Sequence, residues 1–374
     1  MAVAIPTLLQ PAVVNERVDR LKVVNKSLQT FWGLGKGGSA ERESPMGRRG
    51  SYDVFNSTRD LIGAVAPGTP APTGAPQPVG NVPFIIPRFH KKVPLLAEML
   101  HNLRPIGGPV SQIDTAGQQY VADQEQILKQ QVTNAREFQV AAMMRGKYYY
   151  TSADPFQGYA TPSYSSSGAL VTVDYQIPSG NTLKLNMLTA GDILATSWDS
   201  AATKIVSHCL AINAAFIQLT GRGLTDVHLT SIGWGHVSAN TQVTTLAGSS
   251  NQFFDFINRE EETQNFSAKL RAIPWLNWHI NDNGLNTGTA GVFEKFIADS
   301  YASFSIAPST IVASYWNCGE PVSEWTGQPQ VVRVGEYYWV TPTADPTGYS
   351  LYSLHNGLPV LHIPAGLAYG NIVY

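Results

Sequence analysis

Charge is what this chain has least of. Lys, Arg, Asp and Glu make up 14% of its 374 residues, against the usual quarter. So few charges fit a molecule that covers much of its surface with other subunits, although secreted β-rich proteins share the trait. Cysteine is scarcer still. Cys209 and Cys318 cannot build a disulfide framework, so both are expected as buried small hydrophobes in a reducing compartment. Long apolar runs are missing too. The most apolar helical stretch, 205–219, is broken by Ser207, His208, Asn213 and Gln218, too short and too polar to span a bilayer. The opening MAVAIPTLLQPAVV has neither the basic start nor the apolar run of a secretory leader. A soluble protein made in the cytoplasm is expected.

Signals of chemistry are absent as well. The histidines are scattered, with no H-x-x-x-H or CxxC spacing to hold a metal. HINDNG resembles part of a calcium loop, but the twelve-residue frame fixed by Gly284 runs from His279 to Ala290 and has no carboxylate at its first or last ligand position. GKGGS lacks the phosphate-loop spacing, and no G-x-S-x-G elbow occurs. The carboxylates Glu260–Glu262 read as a solvated run rather than a glycosidase pair. Asn25, Asn56 and Asn265 match the glycosylation sequon, which matters only after secretion. No catalysis, cofactor or metal is expected.

The net charge of −2 hides an asymmetry. Residues 1–104 hold 13 Lys and Arg against 7 Asp and Glu, and the rest holds 12 against 20. A basic first quarter on an acidic body suggests an anionic partner, or one subunit's arm docking on its neighbour's body.

The strongest pattern present is VADQEQILKQQVTNAREFQVAAMMRGK, residues 121–147. Leu128, Val132, Ala135, Phe138 and Ala142 fall on one helical stripe. Asp123 and Glu125 near the start, and Arg145 and Lys147 near the end, complement the helix dipole. Gly146 is the natural stop. Such a helix spans about 40 Å. Its modest stripe and its Gln, Asn, Glu and Arg faces predict a helix laid across a sheet.

Residues 15–32 form a basic amphipathic segment, and LGKGGSAERESPMGRRG after it has little to bury. The Pro- and Gly-dense stretch 65–83 excludes helix and interior strand, so it predicts an extended excursion over a neighbour. Arg88, His90, Lys91 and Lys92 form a basic knot beyond it. Val93–Arg104 reads as a short helix. A second long helix is predicted over 192–219, with Ser197 as N-cap and Gly221 and Gly223 at its end. LTDVHLTSIGW reads as a strand, His236–Leu246 as a helix and Phe253–Phe266 as a loop-like charge run. Tyr148–Ile177, 270–282, 304–316, 331–343 and the C-terminus are β-rich. The mixture predicts an α+β fold of at least two units.

Several blocks carry a resemblance: IDTAGQQYVADQEQILKQQVTNAREFQVAAMMRGKYYY, DILATSWDSAATKIVSHCLAINAAF and EYYWVTPTADPTGYSLYSLHNGLPVLHIPAG. In order and spacing they resemble the major capsid proteins of tailed bacteriophages, in the group of the lambda major head protein. The REF…MMRGKY helix end and the W-x-x-P-T-x-x-P-x-G-Y…LPVL-x-x-P block are the most telling pieces, and the resemblance covers residues 46–374.

That resemblance implies the Hong Kong 97-type capsid fold. Residues 1–45 would be the N-arm and 46–108 the extended E-loop. Residues 109–189 with the C-terminal strand 353–374 would be the peripheral domain, and 190–352 the axial domain. It implies hexamers and pentamers of an icosahedral shell around packaged double-stranded DNA, with separate scaffold, portal and decoration proteins. Contact with DNA would run through phosphates, blind to sequence. Candidate inter-subunit contacts are Arg48, Arg49, Arg88, Lys91 and Lys92, and the basic first third is expected to gain order only on identical copies. The alternatives are an encapsulin-like cargo shell and, from another class, a soluble β-rich hydrolase or glycan-binding protein.

Overall fold

The computed structural model describes residues 7–55, 79–96, 100, 115–154, 159–177, 193–247, 254–259, 265–286, 293–322, 331–343 and 348–373. It divides into two compact units. The first comprises residues 1–50, 85–140 and 315–359, and the second comprises 51–84, 141–314 and 360–374.

The first unit is built on the N-terminal five-sixths of the stripe helix. This spine helix runs Thr115–Arg145, starting six residues before the periodic pattern does. A three-stranded antiparallel sheet, Glu336–Thr343, Gly348–His355 and Phe89–Leu96, packs against it. Alternation sends Leu95, Leu351, Tyr338 and Val340 to one face, where they meet Val121, Leu128 and Val132 of the helix. Burying side chains of this size stabilises by about 1.5–3 kcal/mol each. The opposite face stacks His90, Tyr352 and Trp339, with rings 5.1–5.7 Å apart and within 12° of parallel.

Two expectations change here. Residues 93–96 continue the strand Phe89–Leu96 rather than starting a helix; 97–99 and 101–104 lie outside the described residues. The strand lies at the sheet edge, where Pro94 removes no ladder bond that a central strand would need. Six polar residues of the spine helix, Glu125, Lys129, Thr133, Arg136, Glu137 and Gln139, are buried. The arm bonds all of these but Gln139, which pairs with Gly357 O and Tyr315 instead. The arm's helices Pro11–Arg20 and Ser27–Trp32 bury Val14, Val18, Leu28 and Trp32 on the body of their own chain. The arm is therefore ordered without a neighbour, because its apolar residues find their partners in cis.

The second unit is centred on a six-stranded mixed sheet. Its order is Leu367–Asn371, Tyr301–Ser305, Asp226–Leu229, Ile273–Ile280, Phe266–Leu270 and Phe254–Arg259. One face is apolar, and Trp278 there meets Trp198 at 6.3 Å and Trp234 at 6.2 Å. The end of the spine helix enters this unit at Ala141. Gly146 stops it as the sequence predicts, at φ +93°, its N–H returning to Ala142 O at 2.9 Å. A strand, Lys147–Asp154, follows at once.

The second long helix is shorter than predicted, Ile205–Thr220. Residues ahead of it are folded into turns, because Thr203 Oγ1 donates to Ser197 O at 2.6 Å. Ser197 is therefore not the N-cap, whereas Gly221 does close the helix at φ +75°. Asp226–Leu229 is a strand, but the rest of its predicted stretch opens the helix Ser231–Ala239. That helix and the next, Thr241–Ala247, meet at Asn240, whose side-chain oxygen caps the N–H groups of Gln242 and Val243. Phe254–Arg259 is a strand rather than a loop, while residues 260–264 lie outside the described residues. Both cysteines are buried, as expected. No helix among the described residues is long and apolar enough to cross a membrane.

Candidate functional site: the arm–spine junction and the basic residues beside it

The arm is fixed to the spine helix by polar groups that each unit of sequence holds apart. Arg17 forms a two-pronged pair with Glu125, which is wholly buried. Burial raises the Glu125 carboxyl above its ordinary range, opposed by that guanidinium. Asn15 pairs reciprocally with Tyr338, donating to its carbonyl at 2.6 Å and accepting its N–H at 3.0 Å. Glu137 accepts from Leu28 N at 2.6 Å and from Gln29 N at 3.0 Å, in the first turn of Ser27–Trp32. It serves as an N-cap supplied from another helix, since Lys26 at the cap position makes no side-chain bond. Complete burial pushes its pKa up to about 7, against those amide donors.

The preceding residue, Arg136, lies over the Tyr315 ring at 4.6 Å and bonds Glu41 at 3.1 Å. Asn317 Nδ2 donates to the same Glu41 oxygen at 2.8 Å. Tyr315 then links Gln139 and His355, each at 2.6 Å from its hydroxyl. Burial, with Arg136 nearby, holds the His355 pKa well below its usual value. The strand Glu41–Glu43 runs parallel to Tyr315–Asn317 and completes this floor.

Of the five basic residues chosen from the sequence, the structure brings two together. Arg48 and Arg88 converge on Glu320, at 3.4 and 3.3 Å. Arg48 also donates to Ile86 O at 3.1 Å, tying the start of the hairpin Arg49–Phe55/Val79–Ile85 to its exit. Lys92 stands 5.9 Å over Tyr352. Arg49 and Lys91 are exposed and share no partner with the others among the described residues. The junction residues were missed because each is an ordinary surface residue type at an ordinary helical spacing. The one available signal was that Glu125, Arg136, Glu137 and Gln139 adjoin the apolar stripe.

In the second unit, His279 sits between Asp226 (2.9 Å) and Ser267 (2.8 Å) and stacks on His228 at 4.5 Å. Thr225 and Asn277 also donate to Asp226, at 2.6 and 3.0 Å. The carboxylate is thus shared among three donors and the arrangement fixes a sheet face. Among the described residues no cluster of His, Cys, Asp and Glu could hold a metal ion.

No curated protein matches this chain. Among solved structures, a phage-related protein from Bordetella bronchiseptica RB50 covers 97% of this chain and 97% of its own, at 9% identity and TM-score 0.53. That is a likeness of fold. A putative capsid protein of a prophage of E. coli CFT073 covers 79% of each chain at 12% identity and TM-score 0.45. The holo-SrpI encapsulin of Synechococcus elongatus PCC 7942 covers 100% of this chain and 92% of its own, at 11% identity and TM-score 0.42. The mixed helices and strands bear out the α+β class. Residues 29–227, more than half of the sequence, match the model of phage major capsid protein E, and the chain belongs to that family.

Proposed function

We propose that this chain is the repeating subunit of an icosahedral phage head, assembling as hexamers and pentamers around packaged double-stranded DNA. Family membership carries the reading. The arm does not, since it is ordered on its own chain and removes the argument that the molecule is incomplete alone. The shell fold is of the Hong Kong 97 type, with N-arm 1–45, E-loop 46–108, peripheral domain 109–189 plus 353–374, and axial domain 190–352. Assembly takes place in the host bacterial cytoplasm with separate scaffold, portal and decoration proteins, and the subunit ends in the virion.

Arg49, Lys91 and Lys92 are exposed cations able to meet a neighbouring subunit, whereas Arg48 and Arg88 already share Glu320. Lattice contacts of this kind are heterologous, one surface against a different one. Any contact with DNA is through phosphates and weakens as salt rises.

Light scattering and negative-stain microscopy of the expressed protein test the reading. Capsomers or megadalton shells are the expected result, and a persistent 40.5 kDa monomer, with scaffold co-expressed, would refute it. Mass spectrometry of purified particles separates a DNA-filled head from an encapsulin-like shell holding one enzyme.

A further inference from the structure

Strand alternation sets Asp226 with His228, Ser267 with Lys269, and Asn277 with His279, each pair on one side of its strand. Register brings the three pairs to the same face of the six-stranded sheet. Ser267 stands opposite His279, and His279 stands opposite His228 on its other side. A hydrogen-bonded line results, from Asp226 Oδ1 to His279 Nε2 at 2.9 Å and from His279 Nδ1 to Ser267 Oγ at 2.8 Å.

The acid end of that line assigns its protons. Asp226 also accepts from Thr225 and Asn277, so it acts as an acceptor-only carboxylate. His279 then carries its proton on Nε2. Its Nδ1 is left as a lone pair, and the Ser267 hydroxyl donates to it. His228 backs the ring at 4.5 Å, and burial holds its own pKa well below the usual value. A neutral neighbour of that kind does not repel a charge arriving on His279. Exposure rises along the line, from 5% for the Asp226 side chain to 19% for His279, and Ser267 is half-buried at the outer end. Ser303 and Ser305, on the same face, are wholly buried by contrast. Lys269 is exposed and makes no ion pair among the described residues. With Asp255, Arg271 and Asn277 it lines a cavity of about 490 Å³.

We propose that Ser267 is an activated nucleophile that cleaves small acyl esters, with His279 as its base, Asp226 positioning the imidazole and Lys269 meeting the carbonyl oxygen. Ser267 Oγ bonds to the ester carbonyl carbon and passes its proton to His279 Nδ1. The bond from that carbon to the alkoxide breaks, and His279 gives the proton to the leaving oxygen. Water attacks the acyl-serine by the same route, releasing the acid and restoring the hydroxyl. The Lys269 ammonium faces the negative charge that gathers on the carbonyl oxygen. This activity is separate from the shell reading and does not depend on it.

The full chain mixed with p-nitrophenyl acetate tests the proposal. A burst of p-nitrophenolate equal to the chain concentration is expected, with the acetyl group mapped to Ser267 by tandem mass spectrometry after acid quench. An alkyl fluorophosphonate, which loses fluoride to the attacking oxygen, should label the same residue. Ser267→Ala removes a single half-buried oxygen and should abolish both burst and label. His279→Gln keeps a hydrogen bond but takes up no proton, and should slow acylation about a hundredfold or more. Asp226→Asn should lower the rate at saturating ester and leave KM little changed, since it alters the tautomer rather than the cavity. Four results would overturn the proposal: no burst, adducts confined to lysines, a burst that survives Ser267→Ala, or acylation of Ser267 at the native rate in His279→Gln.

Discussion

The Glu137 carboxylate accepts the main-chain N–H of Leu28 at 2.6 Å, from 109 positions further along the chain. One buried acid thus starts a helix that its own cap residue does not start. Its pKa stands at about 7 rather than 4.5 because burial disfavours the charge. A raised carboxyl pKa means stability that is full below pH 4.5 and is lost as pH climbs to 7, by about 3 kcal/mol. Urea unfolding of the native chain should weaken over that window relative to Glu137→Gln, whose amide cannot ionise. Parallel profiles for the two proteins would show that the acid is not titrating there.

Arg136 and Glu41 form the second tie. Arg136→Met removes the cation from Glu41 and from the Tyr315 ring, and truncating one partner of a buried pair costs about 3–5 kcal/mol. Its midpoint in urea should fall accordingly. Glu41→Gln should cost a comparable amount, since it leaves the buried Arg136 cation without its counter-ion although the Asn317 bond survives. Their coupling in a double-mutant cycle measures the pair itself.

Gly146 ends the spine helix at φ +93°, and a Cβ there would stand 3.3 Å from Ile177 Cδ1. Gly146→Ala should destabilise by about 1–2 kcal/mol from the left-handed backbone alone. Adding Ile177→Ala relieves the contact but not the backbone term. Thermal unfolding of the single and double variants should therefore show no recovery of the native midpoint.

His228 answers pH in the opposite sense to Glu137. Burial, then the stacked His279, hold its pKa well below 6.5. A depressed folded pKa means stability present above pH 6.5 and lost as pH falls below it, when only the unfolded chain takes up the proton. His228→Phe should flatten the loss of stability between pH 6.5 and 5. An unchanged slope would place the acid sensitivity elsewhere.

Charge reversal separates assembly from folding. Arg49→Glu and Lys91→Glu should stop particle formation in negative stain while leaving unfolding within about 0.5 kcal/mol of native, since both side chains are exposed. Arg48→Ala should cost under about 1 kcal/mol, because its pair with Glu320 is half in solvent.

The sequence by itself determined what local physics controls. The 3.6-residue stripe of Leu128, Val132 and Phe138 and the glycine at 146 were enough to place the spine helix and its stop. Gly221 closed the next helix for the same reason, since a left-handed residue is a property of one position. β-rich composition marked several of the strands, and the ordered blocks of the middle and C-terminal parts carried the family. Tertiary structure alone decided where the polar side chains went. Glu125, Arg136 and Glu137 carried no sign of the arm in the sequence, because a helical position does not reveal what covers it. The strand 89–96 paired with 348–355 only because a distant segment supplied a ladder. The arm folds in cis for one physical reason: its buried apolar residues and the carboxylates of the spine helix, more than 100 positions away, satisfy each other at once, and no local pattern encodes that meeting.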